Sequence, residues 1–199
     1  MNKMNELIAV VQRATLFSDD SDWRGVRAVD EKQFDAVSFV EAMEYMPRGI
    51  AEKTYTHKQI IPYFVFLYED KLFLMQRSSK SSESRLSSCY TLGIGGHLRK
   101  EDVEGKPLSE WGMREFHEEV WYTDPYTISF VGVVNDDFTD VGRVHSGYFF
   151  LVHGSSDAIR VRSELKQGRL VTFKECEQFF DSMETWSQLV FEYLKKEKK

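Results

Sequence analysis

Arg114-Glu115-Phe116-His117-Glu118-Glu119 is the stretch on which the reading of this chain turns. At ~100° per residue, a helix places Glu115, Glu118 and Glu119 within a ~100° arc and gathers Met113, Phe116 and Val120 opposite them. One face is suited to pack on a core, and the other presents three carboxylates together. Hard cations such as Mg²⁺ take oxygen ligands and share carboxylates with substrate phosphates, so the spacing points to phosphate-ester chemistry. Acidic helix faces also occur merely as solvated surface. Against that plainer reading, the pattern Arg-Glu-apolar-x-Glu-Glu arises by chance in roughly one chain in a thousand of this length. Three like charges in one arc also repel, which costs stability unless a cation offsets them.

Working outward, the glycines of Gly93-Ile94-Gly95-Gly96 allow the backbone to approach a ligand closely. A helix is expected from about Pro107 to Val120, with proline near its first turn, where a missing N–H costs least. Gly112 falls inside that span, at an expected cost of ~1 kcal/mol relative to alanine.

The acidic stretch resembles the core of the Nudix hydrolase box. The family pattern is Gly, five residues, Glu, seven residues, then Arg-Glu-U-x-Glu-Glu-x-Gly-U, where U is bulky and apolar. Arg114, Glu115, Phe116, Glu118 and Glu119 match it one for one, Tyr122 stands at the last U, and Gly95-Gly96 resembles the glycine pair that opens the box. Three departures stand out. Seventeen residues separate Gly96 from Arg114 instead of 13, with the extra four placed around Glu101-Asp102-Val103-Glu104. Lys106 stands where the family has the glutamate that braces the arginine, leaving Glu101, Glu104 or Glu110 as substitutes. Trp121 replaces the glycine that turns the chain after the helix. The segments Lys58 to Tyr63, Glu83 to Leu86 and Leu92 to His97 are similar to a bacterial Nudix subgroup described only as phosphoesterases, which extends the likeness over about residues 45 to 175.

The resemblance implies an α/β/α sandwich around a mixed sheet and metal-dependent hydrolysis of a phosphoanhydride. The expected substrate is a nucleoside diphosphate linked to another moiety. Glu115, Glu118, Glu119 and the Gly95 carbonyl are the implied ligands of Mg²⁺ or Mn²⁺. Arg114, Glu115 and Glu119 are the implied catalytic residues, with Arg114 orienting a carboxylate. Downstream acids often complete such sites, and Asp137 in Asn135-Asp136-Asp137-Phe138-Thr139-Asp140 is the candidate, although turn chemistry explains an Asp-rich loop equally well. Arg77, Arg85 and Gly96 are candidate substrate contacts, whereas Lys80 reads as a solvated loop charge. His97 is either a phosphate contact or a loop histidine with an ordinary hydrogen bond. Two rival readings share the fold: a catalytically silent nucleotide-binding module, and an isomerase of isoprenoid diphosphates, which carries a reactive Cys just before a Gly-His pair. Here Gly95 occupies that position and Cys89 lies further upstream.

The rest of the chain sets bounds. In 199 residues, 42% hydrophobic and 14% aromatic content can furnish a sizeable core, so one domain with an N-terminal extension is the default. A net charge of −6 provides no basic stripe for an extended nucleic-acid surface; a small anionic substrate held through a metal stays compatible. Two cysteines, Cys89 and Cys176, suggest neither a disulfide scaffold nor a zinc site, and a reducing cytoplasm is the simplest setting. The apolar run after Met1 is broken by Gln12 and Arg13, so neither signal peptide nor membrane span is expected. Met4, Leu7, Ile8 and Val11 have the spacing of one helix, and Phe34, Val37 and Val40 of a second ending before Pro47. Residues 1–50 are therefore expected as a helical extension packed on the domain or on a second copy in a homodimer, with residues 51–199 forming the hydrolase domain. Strands are expected over Gln59 to Tyr68, Lys71 to Gln76, Thr127 to Val134, Val144 to Val152 and Arg169 to Phe173, with Pro62 at an edge or strand start. Trp186, Leu189, Val190, Tyr193 and Leu194 predict an amphipathic C-terminal helix.

Overall fold

The computed structural model describes residues 3–17, 22–77, 89–162 and 165–198. Its twelve strands are β1 (Leu7–Gln12), β2 (Arg24–Ala28), β3 (Glu44–Pro47), β4 (His57–Tyr68), β5 (Lys71–Arg77), β6 (Tyr90–Thr91), β7 (Gly93–Ile94), β8 (Val120–Trp121), β9 (Tyr126–Asp136), β10 (His145–Gly154), β11 (Arg160–Val161) and β12 (Leu165–Thr172). The α-helices are α1 (Arg13–Leu16), α2 (Ala36–Glu41), α3 (Arg48–Ala51), α4 (Lys100–Val103), α5 (Met113–Glu119), α6 (Phe173–Glu177) and α7 (Thr185–Glu197). Ten strands form one mixed sheet with the central order β12-β5-β4-β10-β9-β2, and β8 pairs with β11 in a separate two-stranded piece. The β4–β10 ladder is parallel, and its neighbours are antiparallel.

The period of two along β4 and β10 builds the sandwich. Phe64, Phe66, Tyr148 and Phe150 face one layer, where they meet Phe116 of α5, Trp111 and the aromatic residues around α2. Tyr63, Val65 and Phe149 face the other, where α6 and α7 supply Cys176, Val190, Phe191 and Leu194. Phe64 and Phe150 stack across the ladder at 5.1 Å between centroids, and Phe116 meets Phe64 edge-on at 5.8 Å. The apolar side of the acidic helix is thus anchored in the main core, which fixes the direction its carboxylates face.

The N-terminal segment corrects the sequence reading. The expected first helix is strand β1, in which Ile8, Ala9, Val10 and Val11 are all buried between β3 and β4. A continuous β-branched run buried on both faces contains helical spacings by accident, and the pairing partners decided its conformation. The second helix, α2, is present. Because β1 and β2 are built into the main sheet, the expected boundary near residue 50 does not coincide with a break in it.

Pro62 also departs from expectation, since β4 is central and Pro62 pairs with Tyr148 of β10. On its other flank, β1 pairs only as far as Gln59 and β7 begins at Phe64, so the missing N–H falls in a gap between ladders. Gly112 is not inside a helix: a short 3₁₀ turn, Leu108–Glu110, precedes it, and Gly112 caps α5 at φ +74°. A Cβ there would sit 2.2 Å from Pro62 Cγ, so both backbone angle and space require glycine. After Glu119 the chain turns directly into extended backbone at Val120 and β8, so Trp121 needs no left-handed turn.

Candidate active site

Helix α5 and the Gly95-Gly96 loop form one wall of a cavity of about 560 Å³. Glu115, Glu118 and Glu119 all line it, as do Gly95, Gly96, Arg77 and Glu184. The two glycines are fixed by contact. A Cβ at Gly95 would lie 1.9 Å from the Pro62 carbonyl oxygen, and one at Gly96 would lie 2.5 Å from Glu115 Oε2. The Gly95 N–H donates to Glu119 Oε2 at 3.3 Å, tying the loop to the helix.

Arg114 stands behind the carboxylates and is not among the lining residues. Its Nε and Nη2 donate to the two oxygens of Asp102 at 3.1 and 2.8 Å, a bidentate pair. Nη1 donates to Glu115 Oε1 at 2.6 Å and to Glu118 Oε1 at 3.2 Å, and Nη2 also reaches the His97 carbonyl at 3.2 Å. Asp102 is therefore the brace for which Glu101, Glu104 and Glu110 had been the candidates. The signal was present: Asp102 is the sixth residue after Gly96, the family's Gly-x₅-acid spacing counted from the glycine. The four additional residues therefore fall between Asp102 and Arg114, and counting back from the arginine missed the match.

Arg114 serves Glu115 and Glu118, while its bidentate pairing is committed to Asp102. Burial pushes the Glu115 carboxyl above its ordinary value, with Arg114 opposing and repulsion from Glu118 reinforcing the shift. Glu119 is buried and Glu118 is exposed, so the donor set runs from the core to the open cavity. Carboxylate oxygens are donors that Mg²⁺ and Mn²⁺ favour, and Glu115, Glu118 and Glu119 all offer them to the cavity.

Other expectations fare differently. Arg77 lines the cavity, but its Nε is paired with Glu184 Oε2 at 3.0 Å, and Thr91, Tyr63 and Ser187 complete the shell of that buried acid. Asp137 is a correction. It does not line the cavity; it accepts from Lys58 Nζ at 2.6 Å, Arg13 Nη1 at 2.7 Å, Asn135 Nδ2 at 2.7 Å and the Trp23 N–H at 3.0 Å. Burial opposes its ionisation, but the hydrogen bonds from Arg13 and Lys58 prevail and hold the carboxyl at about 2. Asp137 thus belongs to a closed ion cluster, where its lone pairs are committed to protein donors. Arg85, like Lys80, lies outside the described residues. His97 lines the cavity and bonds Gln59 Oε1 through Nε2 at 2.8 Å; burial, then Arg48, pulls its pKa well below the usual imidazole value. Residues not expected at the site from the sequence also line the space, notably Arg48, His145, Arg162, Glu184 and Trp186, the last read only as part of the C-terminal helix. Neither Cys89 nor Cys176 is among the lining residues, so the cavity offers no thiol of the kind the isomerase reading needs.

The fold defines the class: it is that of the Nudix hydrolases, a family of pyrophosphohydrolases. Two relatives match over nearly the whole chain. Protein YmaB of Bacillus subtilis strain 168 is 33% identical over 208 residues, spanning 98% of this chain and 100% of that one. The crystal structure of Tm1382, a protein assigned to the Nudix hydrolases, superposes at a TM-score of 0.78 with 29% identity over 95% of this chain and 98% of its own. The Nudix domain of Shewanella oneidensis NrtR, solved with ADP-ribose, shares the fold at a TM-score of 0.56 and 14% identity, covering 71% of this chain and 89% of that one. No family model matches the sequence. Among the described residues, no helix is long and apolar enough to cross a membrane.

Proposed function

We propose that the protein is a divalent-metal-dependent hydrolase of a phosphoanhydride, with a nucleoside diphosphate linked to another moiety as substrate. The observation that carries this reading is the convergence of Glu115, Glu118 and Glu119 with the Gly95-Gly96 backbone on one cavity of about 560 Å³. That volume lies within the range of about 300–1,000 Å³ common for small-molecule sites.

Glu115, Glu118, Glu119 and the Gly95 carbonyl would hold Mg²⁺ or Mn²⁺, which neutralises the diphosphate and lowers the pKa of bound water. The side chains supply the rest. Glu115 or Glu119 would accept the proton of an attacking water. Arg114, locked by Asp102, fixes the orientation of Glu115 and Glu118 without touching substrate. Arg77 and Arg162 line the space and supply positive charge for the diphosphate oxygens, and Trp186 offers an aromatic surface for a planar group. The ADP-ribose bound by the NrtR domain is one compound of this kind and belongs in the first substrate panel.

The test is hydrolysis, read by chromatographic separation of the phosphomonoester products, of nucleotide sugars, dinucleotide cofactors, dinucleoside polyphosphates and nucleoside triphosphates with Mg²⁺ or Mn²⁺. Wild-type turnover of a diphosphate-linked nucleoside, reduced about 10²–10⁴-fold in Glu119→Gln, is expected. Binding without turnover across the panel would move the assignment to the catalytically silent module, and unchanged turnover in Glu119→Gln would overturn the site.

A further inference from the structure

A second group of metal-type donors lies beside the first. Gly96 abuts Glu115, and the next residue, His97, lies with His145 and Glu52 so that one donor atom from each is within 4.8 Å of the others. The three come from separate parts of the fold: Glu52 follows α3, His97 follows the glycine pair, and His145 opens β10. His145 is buried, and the other two are half-buried. The imidazoles are 5.6 Å apart between ring centroids.

Two features distinguish this group from a casual cluster. Each imidazole has one nitrogen tied to a fixed oxygen: His145 Nδ1 to the Val141 carbonyl at 2.7 Å, and His97 Nε2 to Gln59 Oε1 at 2.8 Å. With an N–H donated to each oxygen, the other nitrogen of each ring carries the lone pair, which is the arrangement that orients histidine ligands in metal sites. The gap between His145 Nε2 and Glu52 Oε1 is 4.0 Å, too long for a hydrogen bond. Ligands at about 2.0–2.2 Å in a tetrahedral shell lie about 3.4 Å apart, so a small inward shift of these side chains onto a cation completes the site.

We infer that Glu52, His97 and His145 form a second metal site, distinct from the carboxylate cluster of α5, and that it takes an imidazole-preferring divalent transition metal such as Zn²⁺ or Co²⁺. The donor chemistry separates the two sites. All-oxygen donors favour Mg²⁺ and Mn²⁺, whereas two imidazoles and one carboxylate favour zinc-like ions. Arg48 sets the condition for filling the site, because its Nε lies 3.8 Å from Glu52 Oε1 and a bound cation would displace it. Arg48 lines the cavity, so its guanidinium is then released towards an anionic substrate.

The inference stands apart from the hydrolase assignment, and its test reads metal rather than turnover. The full chain, stripped with a chelator, is titrated with Co²⁺ in the presence of excess Mg²⁺ and followed by the visible absorption of the bound ion, with metal content measured after gel filtration. Stoichiometric Co²⁺ with an imidazole-type spectrum is expected in wild type and in Glu119→Gln. It should be lost in His97→Gln and His145→Gln, and weakened about 10–100-fold when the hydrogen-bonding support is removed in Gln59→Met. Thermal melts identify any variant that fails to fold, and Glu52→Gln provides the mildest ligand change. Absence of Co²⁺ under excess Mg²⁺ would overturn the site, as would binding that survives all three ligand variants or disappears in Glu119→Gln.

Discussion

Two clusters of charge lie in this molecule and use their acids in opposite ways. On α5, Glu115 and Glu118 share Arg114, and Glu115, Glu118 and Glu119 all line a cavity. Around Lys58, which is fully buried, Asp137 is enclosed by Arg13, Asn135 and backbone donors, while the ammonium also donates to the carbonyl oxygens of Gly142 and His145. The first cluster presents its acids to the cavity. The second is satisfied within the protein, and its hydrogen bonds tie β4 to the end of β9 and to the turn that leads into β10. Counter-charge and access to the cavity, rather than acidity, separate a ligand site from a structural pin.

The largest effect on folding should come from the pin. Lys58→Met leaves Asp137 buried with an incomplete set of partners and should cost about 3–5 kcal/mol in urea unfolding; the double replacement with Asp137→Leu should recover most of it. A loss below 1 kcal/mol would show that the pin is dispensable and erase the contrast. For the open cluster the pattern reverses. The loss of turnover in Glu119→Gln should be accompanied by a stability within about 1 kcal/mol of wild type.

Asp102→Asn sharpens the comparison from between the two regions, because it removes a brace without removing a donor to the cation. A fall of about 10–100-fold in kcat or metal affinity is expected, with Asp102→Glu restoring part of it. Equal activity in wild type and Asp102→Asn would mean that Arg114 needs no support. Acid then separates the clusters by pH. Asp137 is held at about 2 against an ordinary 3.8, so its stabilising contribution is complete above about pH 4 and is lost as pH falls through 2. Roughly 2 kcal/mol should disappear across that window, and a carboxyl titration followed by NMR would place the midpoint directly. Glu118, exposed on the helix, offers the smallest effect: Glu118→Gln should change stability by no more than about 0.5 kcal/mol, measured by thermal melting, despite lowering metal affinity.

Helix α5 was legible in sequence because its information is local. The order Arg114, Glu115, Phe116, Glu118, Glu119 fixes which side is apolar and which is acidic in any helix of that register. Strands β4, β5, β9 and β10, helix α7 and the sandwich followed from periodicity and family resemblance in the same way. Asp102 was half legible, since its spacing from Gly96 was right while the longer segment before Arg114 concealed it from the other end. Glycine 112 could not be read, because its cause is the ring of Pro62, fifty residues earlier in the chain.

Local order in the chain set the chemistry on offer: three carboxylates on one helical face, a glycine pair to approach them, and enough apolar residues to support both. Only the tertiary structure decided which acids face the cavity. Asp137 and Asp102 are each adjacent to other acids in the chain, yet one became the anion of a buried pin and the other the brace of Arg114. It likewise turned the Leu7–Gln12 run into a strand and brought Glu52, His97 and His145 together from three distant segments. The reason is physical: side-chain direction along a helix is a local property, but burial, counter-charge and strand pairing depend on partners supplied from elsewhere in the fold.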